Sequence, residues 1–252
     1  MTTLPRTLTT TYTTLTWSED GRSVTKVRDP AHDARRRFRY ELKVNTLLRD
    51  RPPPVPTPRL LDHDIGRRSL TFEAIGAEPV GPKYATELAT EDLDAILTLT
   101  ERLREFDPRR RWFRRLDSAQ RLALAQRHGL LTTSQTAGLR AIARRAHTRY
   151  RFCHGDITAR NVLRHADTGE LTLIDWEWAG LYPDGYELAF LWYSLIDVPD
   201  GRERVEARVA RPDAFLLSAL LITLWHLQWY LPGPFREKHL RTKDELVERL
   251  GC

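Results

Sequence analysis

The sequence predicts an α+β protein in which a small strand-rich part precedes a larger helical part. Residues 10–17 alternate Thr with larger side chains, and a second run of this kind follows the turn at Gly21, over residues 23–27. Both patterns are typical of β-strands. From residue 90 onward, most apolar residues recur instead at helical spacing. We therefore expect the two parts to meet near residues 72–76.

Further elements follow from the same periodicities. Phe38, Leu42, Asn45 and Leu48 share one face of a helix predicted over residues 33–49, and the prolines that follow end it. Two strands joined near Gly66 are expected over residues 59–76. Further helices are predicted from an N-cap at Thr90 to residue 106 and near residues 118–128, 134–147, 185–196, 213–231 and 243–250, with strands only at residues 149–153 and 171–175.

Composition limits the classes of partner. The 252 residues carry a net charge of +6, with 28 basic and 18 acidic residues in residues 1–150 and 12 and 16 in residues 151–252. The basic part would suit phosphate groups, but the sequence has neither zinc-finger spacing nor an aromatic-interleaved RNA motif, so no nucleic acid is expected. Two cysteines and no apolar leader favour the cytoplasm. The apolar stretch over residues 214–231 contains polar side chains, which predicts a buried helix and no membrane partner.

Two short segments carry the functional prediction: HGDITARNVL over residues 154–163 and LIDWEWAG over residues 173–180. Asp156, at the start of a loop, is placed to accept a proton from an attacking hydroxyl. Asn161 and Asp175 offer the oxygen atoms that Mg²⁺ prefers. The residues between them predict a hairpin around Gly169, which would bring both side chains to one point. Phosphoryl transfer needs this combination of a base and a metal site.

These segments resemble the catalytic loop and the metal-binding segment of the aminoglycoside phosphotransferase and choline kinase family, which has the bilobal protein-kinase-like fold. The following stretch, YPDGYELAF, is also similar, with Glu187 where Asp is usual. Upstream, Lys26 in SVTKV matches the strand lysine of the family, and Glu41 in FRYELKVNTLL matches its helix glutamate. PTPRLLDHD and LTFEAIG resemble the segment that leads into the hinge.

The resemblance implies a nucleotide-binding lobe over residues 1–75, with an antiparallel sheet and one helix. Lys26 would contact the α- and β-phosphates, and Glu41 would hold Lys26 in place. The adenine ring would dock against backbone groups near Glu73 and Ile75.

The mostly helical lobe, residues 76–252, would carry the catalytic loop, the metal site and the acceptor site. There the resemblance implies that Asp156 is the catalytic base and that Asn161 and Asp175 are the Mg²⁺ ligands.

The sequence departs from the family pattern at the loop that covers the phosphates. Gly21 is the only glycine before Gly66, and it is assigned to the turn that leads into the Lys26 strand. The phosphate-covering turn should therefore fall near residues 6–10, where Thr hydroxyls would replace glycine amides. This leaves the choice between ATP and GTP open.

The predicted function is Mg²⁺-dependent transfer of the γ-phosphoryl group of ATP, or of GTP, to a hydroxyl of a small molecule such as an antibiotic or a metabolite. One alternative is a kinase that phosphorylates Ser or Thr of a peptide in a natural-product pathway. Residues 109–115 contain five arginines around Trp112, which would line a peptide groove, although such a run is more often a solvated linker. On a helix, Arg111 and Arg114 would share one face. The other alternative is a nucleotide-binding pseudokinase that acts as a binding partner.

Overall fold

The structure is a computed structural model that describes residues 7–10, 12–29, 34–229 and 233–252, and within them it has ten β-strands and eight α-helices. The strands are β1 (Thr7–Thr9), β2 (Thr13–Trp17), β3 (Ser23–Arg28), β4 (Leu60–Asp64), β5 (Ser69–Glu73), β6 (Ala77–Pro79), β7 (Tyr150–Cys153), β8 (Val162–His165), β9 (Leu171–Leu173) and β10 (Gly180–Pro183). The helices are α1 (Ala34–Asp50), α2 (Thr90–Arg104), α3 (Ser118–Arg127), α4 (Thr133–Ala146), α5 (Tyr186–Ser194), α6 (Pro199–Glu206), α7 (Pro212–Trp229) and α8 (Pro234–Arg249). The predicted α+β class is confirmed.

The chain forms two compact units. The first contains the described residues of Met1–Val80 together with Arg160–Ala179, and the second contains those of Gly81–Ala159 and Gly180–Cys252. Residues 160–179 belong to the first unit because β8 pairs with both β6 and β9. The lobes expected over residues 1–75 and 76–252 stay a prediction, and the compact units do not follow that boundary.

The first unit is built on a five-stranded antiparallel sheet in the order β1-β2-β3-β5-β4. Lys26 of β3 is paired with Leu15 on one side and Leu70 on the other, so it lies in the middle of the sheet. Phe38 of α1 packs with Leu60 and Leu70 to form the core beneath this sheet. Helix α1 is therefore held against β4 and β5 by apolar packing.

Helix α1 directs a carboxylate inward among its apolar residues. Phe38, Glu41, Val44, Asn45 and Leu48 recur at spacings of three and four residues, and all five are buried. The helix spans 17 residues, close to the predicted range, whose residue 33 lies outside the described residues. Glu41 is thus buried by the same face that packs Phe38 against the sheet.

Helix α7 is the centre of the second unit. Every residue from 214 to 224 is buried, and the helix packs against α3, α4, α5 and α8. This confirms the expectation of a buried helix in the apolar stretch, whose last two positions lie outside the described residues. No helix in the part of the chain that the structure describes is long and apolar enough to cross a membrane.

Several boundaries differ from the prediction. The helix expected at residues 243–250 begins at residue 234, and α6 was not predicted, because both have charged sequences with few apolar residues to mark a face. The strands β6 and β10 were also missed, since three or four residues are too few for a recognisable alternation. Thr90 is the first residue of α2, and Ala89 occupies the N-cap position.

Candidate functional site

A buried ion cluster connects three parts of the first unit. Lys26 Nζ donates a hydrogen bond to Glu41 Oε1 at 2.7 Å and another to Asp175 Oδ1 at 2.9 Å. Lys26 lies on β3, Glu41 on α1, and Asp175 two residues after β9. The Lys26 side chain is only 12% exposed. The structure therefore brings together three of the residues that the sequence singled out.

Arg28 and Glu177 extend this cluster. Arg28 Nη2 donates to Glu41 Oε2 at 2.7 Å, and it also forms an ion pair with Glu177. Glu177 Oε2 lies 3.6 Å from Lys26 Nζ. Sequence reasoning missed Arg28, although Lys26 and Arg28 are two residues apart and therefore share one face of a strand. That spacing is the signal that would have found it.

The charges of the cluster do not balance, because two cations face three carboxylates. Burial by itself would lower the pKa of Lys26, but the charges of Asp175 and Glu41 more than offset this, and the pKa is raised above its usual value. Lys26 is consequently a permanent cation. Burial raises the pKa of Glu177, and the neighbouring Asp175 carboxylate raises it further.

A hairpin places Asn161 and Asp175 at the same end of two paired strands. Val162 of β8 is opposite Leu173 of β9, and the Ile174 amide donates to the Asn161 carbonyl at 2.9 Å. Gly169, with φ at +69°, makes the turn at the other end. This arrangement agrees with the hairpin expected from the sequence. Asp175 itself is left-handed, with φ at +66°, a conformation that Asp tolerates better than most residues do.

The donor atoms at this end of the hairpin fit a hard divalent cation. One carboxylate oxygen each of Glu41, Asp175 and Glu177 lie within 4.8 Å of one another, and Asn161 adds an amide at the same end of the hairpin. All of these donors are oxygen or amide groups, which Mg²⁺ prefers over softer ligands. The Asp175 side chain is 35% exposed, so it stays accessible to a ligand. The excess negative charge of the cluster would also favour a bound cation.

The segment expected to hold adenine lies at the end of β5. The Glu73 amide donates to the Arg59 carbonyl at 3.0 Å, and the Ala74 amide donates to the Arg22 carbonyl at 2.9 Å. The Ile75 carbonyl accepts from the Ala77 amide at 2.9 Å. Glu73 and Ile75 thus sit on a backbone that is fixed on both sides, within the first unit.

The connection between β1 and β2 begins at Thr10, later than expected, because residues 7–9 already pair with β2. Arg6 and Thr11 lie outside the described residues. The Thr10 and Thr13 hydroxyls are 2.8 Å apart, and the Thr13 amide donates to Thr10 Oγ1 at 3.2 Å. Hydrogen bonds between Thr10 and Thr13 therefore stabilise this connection, and the sequence has no glycine-rich loop here.

Asp156 lies in the second unit, just after β7. Lys83 Nζ donates to Asp156 Oδ1 at 3.2 Å. Sequence reasoning missed Lys83, which is one of only five lysines in the chain. This scarcity was a usable signal, since the compact ammonium of Lys and the planar guanidinium of Arg are not interchangeable, so each Lys in an Arg-rich chain is a candidate for a specific role. Asp156 and Lys83 therefore form an ion pair at the loop that follows β7.

Glu187 anchors the loop that carries Asp156. Its Oε2 accepts from the His154 amide at 2.7 Å, and its Oε1 accepts from the Gly155 amide at 3.2 Å. Gly155 has φ at +84°, which few residues other than glycine adopt, and it turns the chain toward Asp156. Burial raises the pKa of Glu187 to about 7, although the Gly155 and His154 amides oppose the shift. The carboxyl therefore keeps its proton to a higher pH than an exposed glutamate does.

The arginines of residues 109–115 do not form one helical face. Arg111 lies in a single 3₁₀ turn that ends at Trp112, and Phe113 is extended. The Arg111 guanidinium stacks over the Trp112 ring at 5.2 Å. The expectation that Arg111 and Arg114 share a helix face is wrong, because the buried Phe113 draws the chain out of the helical conformation between them.

The fold and these two groups of charged residues are those expected of a phosphotransferase. A model of the phosphotransferase enzyme family (APH) matches residues 8–220, and the chain belongs to this family. The family resemblance that the motifs suggested is thereby confirmed, as is the prediction of a phosphotransferase enzyme. No curated protein sequence matches the chain significantly.

Solved structures with the same fold are distant in sequence. The choline kinase LicA from Streptococcus pneumoniae is 14% identical, with a TM-score of 0.68 over 98% of this chain and 95% of LicA. A structure of LicA in complex with AMP has a TM-score of 0.65 at 14% identity, over 100% of this chain and 95% of that one. The aminoglycoside phosphotransferase APH(3'')-Id from Streptomyces rimosus is 18% identical, with a TM-score of 0.57 over 96% and 92%. These similarities show the kinase-like fold.

The raised pKa of Glu187 gives a testable pH dependence. The carboxyl titrates near 4.5 when unfolded and near 7 in the fold, so the folded state binds its proton more tightly. Its contribution to stability is therefore present at low pH and falls as the pH rises from about 4.5 to about 7, by on the order of 3 kcal/mol. Glu187→Gln should remove this part of the pH dependence in urea unfolding at about pH 5 and about pH 8.

The control is Glu203→Gln, which changes an exposed glutamate of α6. It should keep the pH dependence of the wild type. An unfolding free energy whose pH dependence is the same in the wild type and in Glu187→Gln would contradict the assignment.

Proposed function

We propose that the protein transfers the γ-phosphoryl group of ATP, or of GTP, to a hydroxyl of a small molecule in a Mg²⁺-dependent reaction. The observation that carries this proposal is the buried cluster of Lys26, Glu41 and Asp175, beside Asn161. Structures of similar proteins with nucleotides support it, since LicA was solved with AMP and an APH(2") enzyme with GDP and kanamycin. Location in the cytoplasm and the absence of a nucleic-acid partner are parts of the same proposal.

In this proposal the first unit binds the nucleotide. The Lys26 ammonium contacts the phosphates and is held by Glu41, while the backbone at Glu73 and Ile75 receives the adenine ring. Asn161 and Asp175 would hold Mg²⁺, which when bound neutralises the charge on the phosphate oxygens. Because the pKa of Lys26 is raised, the lysine keeps its charge at any working pH.

Asp156 acts as the base of the proposed reaction. Its carboxylate accepts the proton of the acceptor hydroxyl, and Lys83 at 3.2 Å fixes its orientation. Glu187 holds the backbone just before Asp156 through two amide hydrogen bonds. The base is therefore positioned both by its side-chain partner and by its backbone.

The surroundings of Asp156 favour an uncharged acceptor. The Lys83 ammonium is paired with the Asp156 carboxylate, so the proposed base has no excess negative charge that would attract a cationic acceptor. Tyr84, the next residue, packs against Phe235 with ring centroids 5.3 Å apart, and Phe235 is partly exposed. We propose that a hydroxyl compound with an apolar or aromatic portion occupies this side of Asp156.

Nucleotide binding tests the proposal directly. ATP or GTP with Mg²⁺ should raise the melting temperature, because a ligand that binds only the folded state adds about 2.7 kcal/mol at a hundredfold excess over Kd. The effect should be weaker without Mg²⁺. If neither nucleotide shifts the melting temperature, with or without Mg²⁺, the pseudokinase hypothesis replaces the proposal.

Asp175→Ala and Asp156→Ala should fail in different ways. Loss of Asp175 should abolish the Mg²⁺-dependent part of the nucleotide-induced shift, because the proposed metal loses its carboxylate. Loss of Asp156 should leave that shift intact and lower turnover by on the order of 10²–10⁴. Asp167→Ala, in the exposed turn between β8 and β9, is the control and should change neither quantity. Full turnover by Asp156→Ala would show that the base is another residue.

Lys83→Met should lower kcat by roughly 10-fold, equivalent to about 1.4 kcal/mol, with little change in the KM for nucleotide. Lys83→Arg keeps the charge and should recover part of the loss. Turnover is measured with labelled ATP on the acceptor found by a screen of sugars, nucleosides, hydroxy acids, aminoglycosides and Ser-containing peptides. An equal kcat for Lys83→Met and the wild type would show that Lys83 does not act in the reaction. Efficient transfer to an aminoglycoside would contradict the proposed acceptor class.

A further inference from the structure

A small pocket lies within the second unit, on residues that the proposed reaction does not use, apart from Glu187. Its volume is about 100 Å³, well below the roughly 300–1,000 Å³ of sites for drug-sized ligands. It is lined by the end of α2, by β7, by the start of α5 and by the connection between α6 and α7. The charged residues on its wall are four arginines and three acids: Arg104, Arg151, Arg208, Arg211, Glu101, Asp184 and Glu187.

Two of the four arginines are already neutralised by carboxylates. Arg104 forms two parallel hydrogen bonds to Asp184, at 3.1 and 3.0 Å. Arg208 Nη1 pairs with Glu101 Oε1 at 2.7 Å. These pairs leave little net charge on their side of the pocket.

The other two arginines have no carboxylate partner among the described residues. The Arg151 guanidinium makes no hydrogen bond within the described part of the chain, and its Nε is buried. Arg211 Nη2 donates to the Ala146 carbonyl at 2.9 Å, but its buried Nη1 has no acceptor within those residues. Partly buried guanidinium groups usually find an anion, because removing them from water is costly.

The remaining acid on the wall, Glu187, does not compensate these two cations. Its two oxygens are already occupied by the His154 and Gly155 amides. Even when Glu187 is fully ionised, the wall carries four arginines against the carboxylates of Glu101, Asp184 and Glu187. The pocket is therefore positively charged.

We propose that this pocket binds a small tetrahedral oxyanion, either inorganic phosphate or the terminal group of a phosphomonoester, between Arg151 and Arg211. The planar guanidinium matches two oxygens of such an anion, and the charge-assisted hydrogen bonds would use the donors that the protein leaves unsatisfied. A volume of about 100 Å³ admits an ion of this size and excludes a nucleotide. The site is independent of the proposed phosphotransfer reaction.

The test is a titration of the full chain with inorganic phosphate, in which the melting temperature is measured at each phosphate concentration. Chloride is the compensating ion that keeps the ionic strength constant. The wild type should show a saturable rise that chloride does not produce. Arg151→Gln and Arg211→Gln should each weaken the apparent Kd at least tenfold. Arg144→Gln, which changes an exposed arginine of α4 outside the pocket, should bind as the wild type does.

Glycerol phosphate, titrated in parallel, distinguishes the two sources of the anion. An affinity equal to that of inorganic phosphate supports the phosphomonoester, and a tenfold weaker one supports the free ion. If either glutamine variant does not fold, Arg151→Lys and Arg211→Lys replace it, and weaker binding is again expected because Lys lacks the planar fork. The absence of a saturable rise, or a rise that the Arg151 and Arg211 variants leave unchanged, overturns the proposal. Since the readout is not nucleotide binding, this result is separate from the test of the proposed function.

Discussion

The first unit depends on one constraint, which is that Lys26 and Arg28 carry their charges into a buried site. Neither group can shed its proton there, so the fold has to supply carboxylates from elsewhere in the chain. It takes Glu41 from α1 and Asp175 and Glu177 from the segment after β9. Removing one partner from such a buried pair typically costs about 3–5 kcal/mol, because the other charge is left uncompensated. Strand, helix and hairpin are therefore tied to one another by electrostatics as well as by packing.

The same constraint leaves the cluster with more negative than positive charge. Two cations neutralise three carboxylates only in part, and burial already raises the pKa of Glu177. A divalent ion at Asp175 and Asn161 would relieve the repulsion between Asp175 and Glu177. The left-handed backbone of Asp175 allows its side chain to leave the line of β9 and meet Lys26. The cluster thus combines a structural role with an arrangement that suits metal-bound phosphates.

Elements with a long apolar periodicity could be predicted from the sequence. Helices α1, α3 and α4 begin and end within about two residues of their predicted limits, since apolar residues recur at helical spacing on one face of each. The hairpin of β8 and β9 could be predicted because Gly169 marks its turn, and with it the proximity of Asn161 and Asp175. These successes rest on patterns that are local in the chain.

The rest depends on contacts that are distant in sequence. Arg28 belongs to the cluster because its strand faces α1, and Lys83 belongs to the loop of Asp156 because residues 73 positions apart meet there. The two-residue spacing of Lys26 and Arg28 and the scarcity of lysine single out these residues, but they do not show which distant carboxylates the residues meet. Short strands such as β6 and β10 exist only because a partner strand is present, so their own residues carry little information.

Glu187 shows how a single substitution in the family pattern changes the chemistry of the loop. A glutamate has one methylene more than the usual aspartate, and here it reaches two consecutive amides, those of His154 and Gly155. The buried carboxyl has a pKa of about 7, so small changes in the local potential alter its charge at neutral pH.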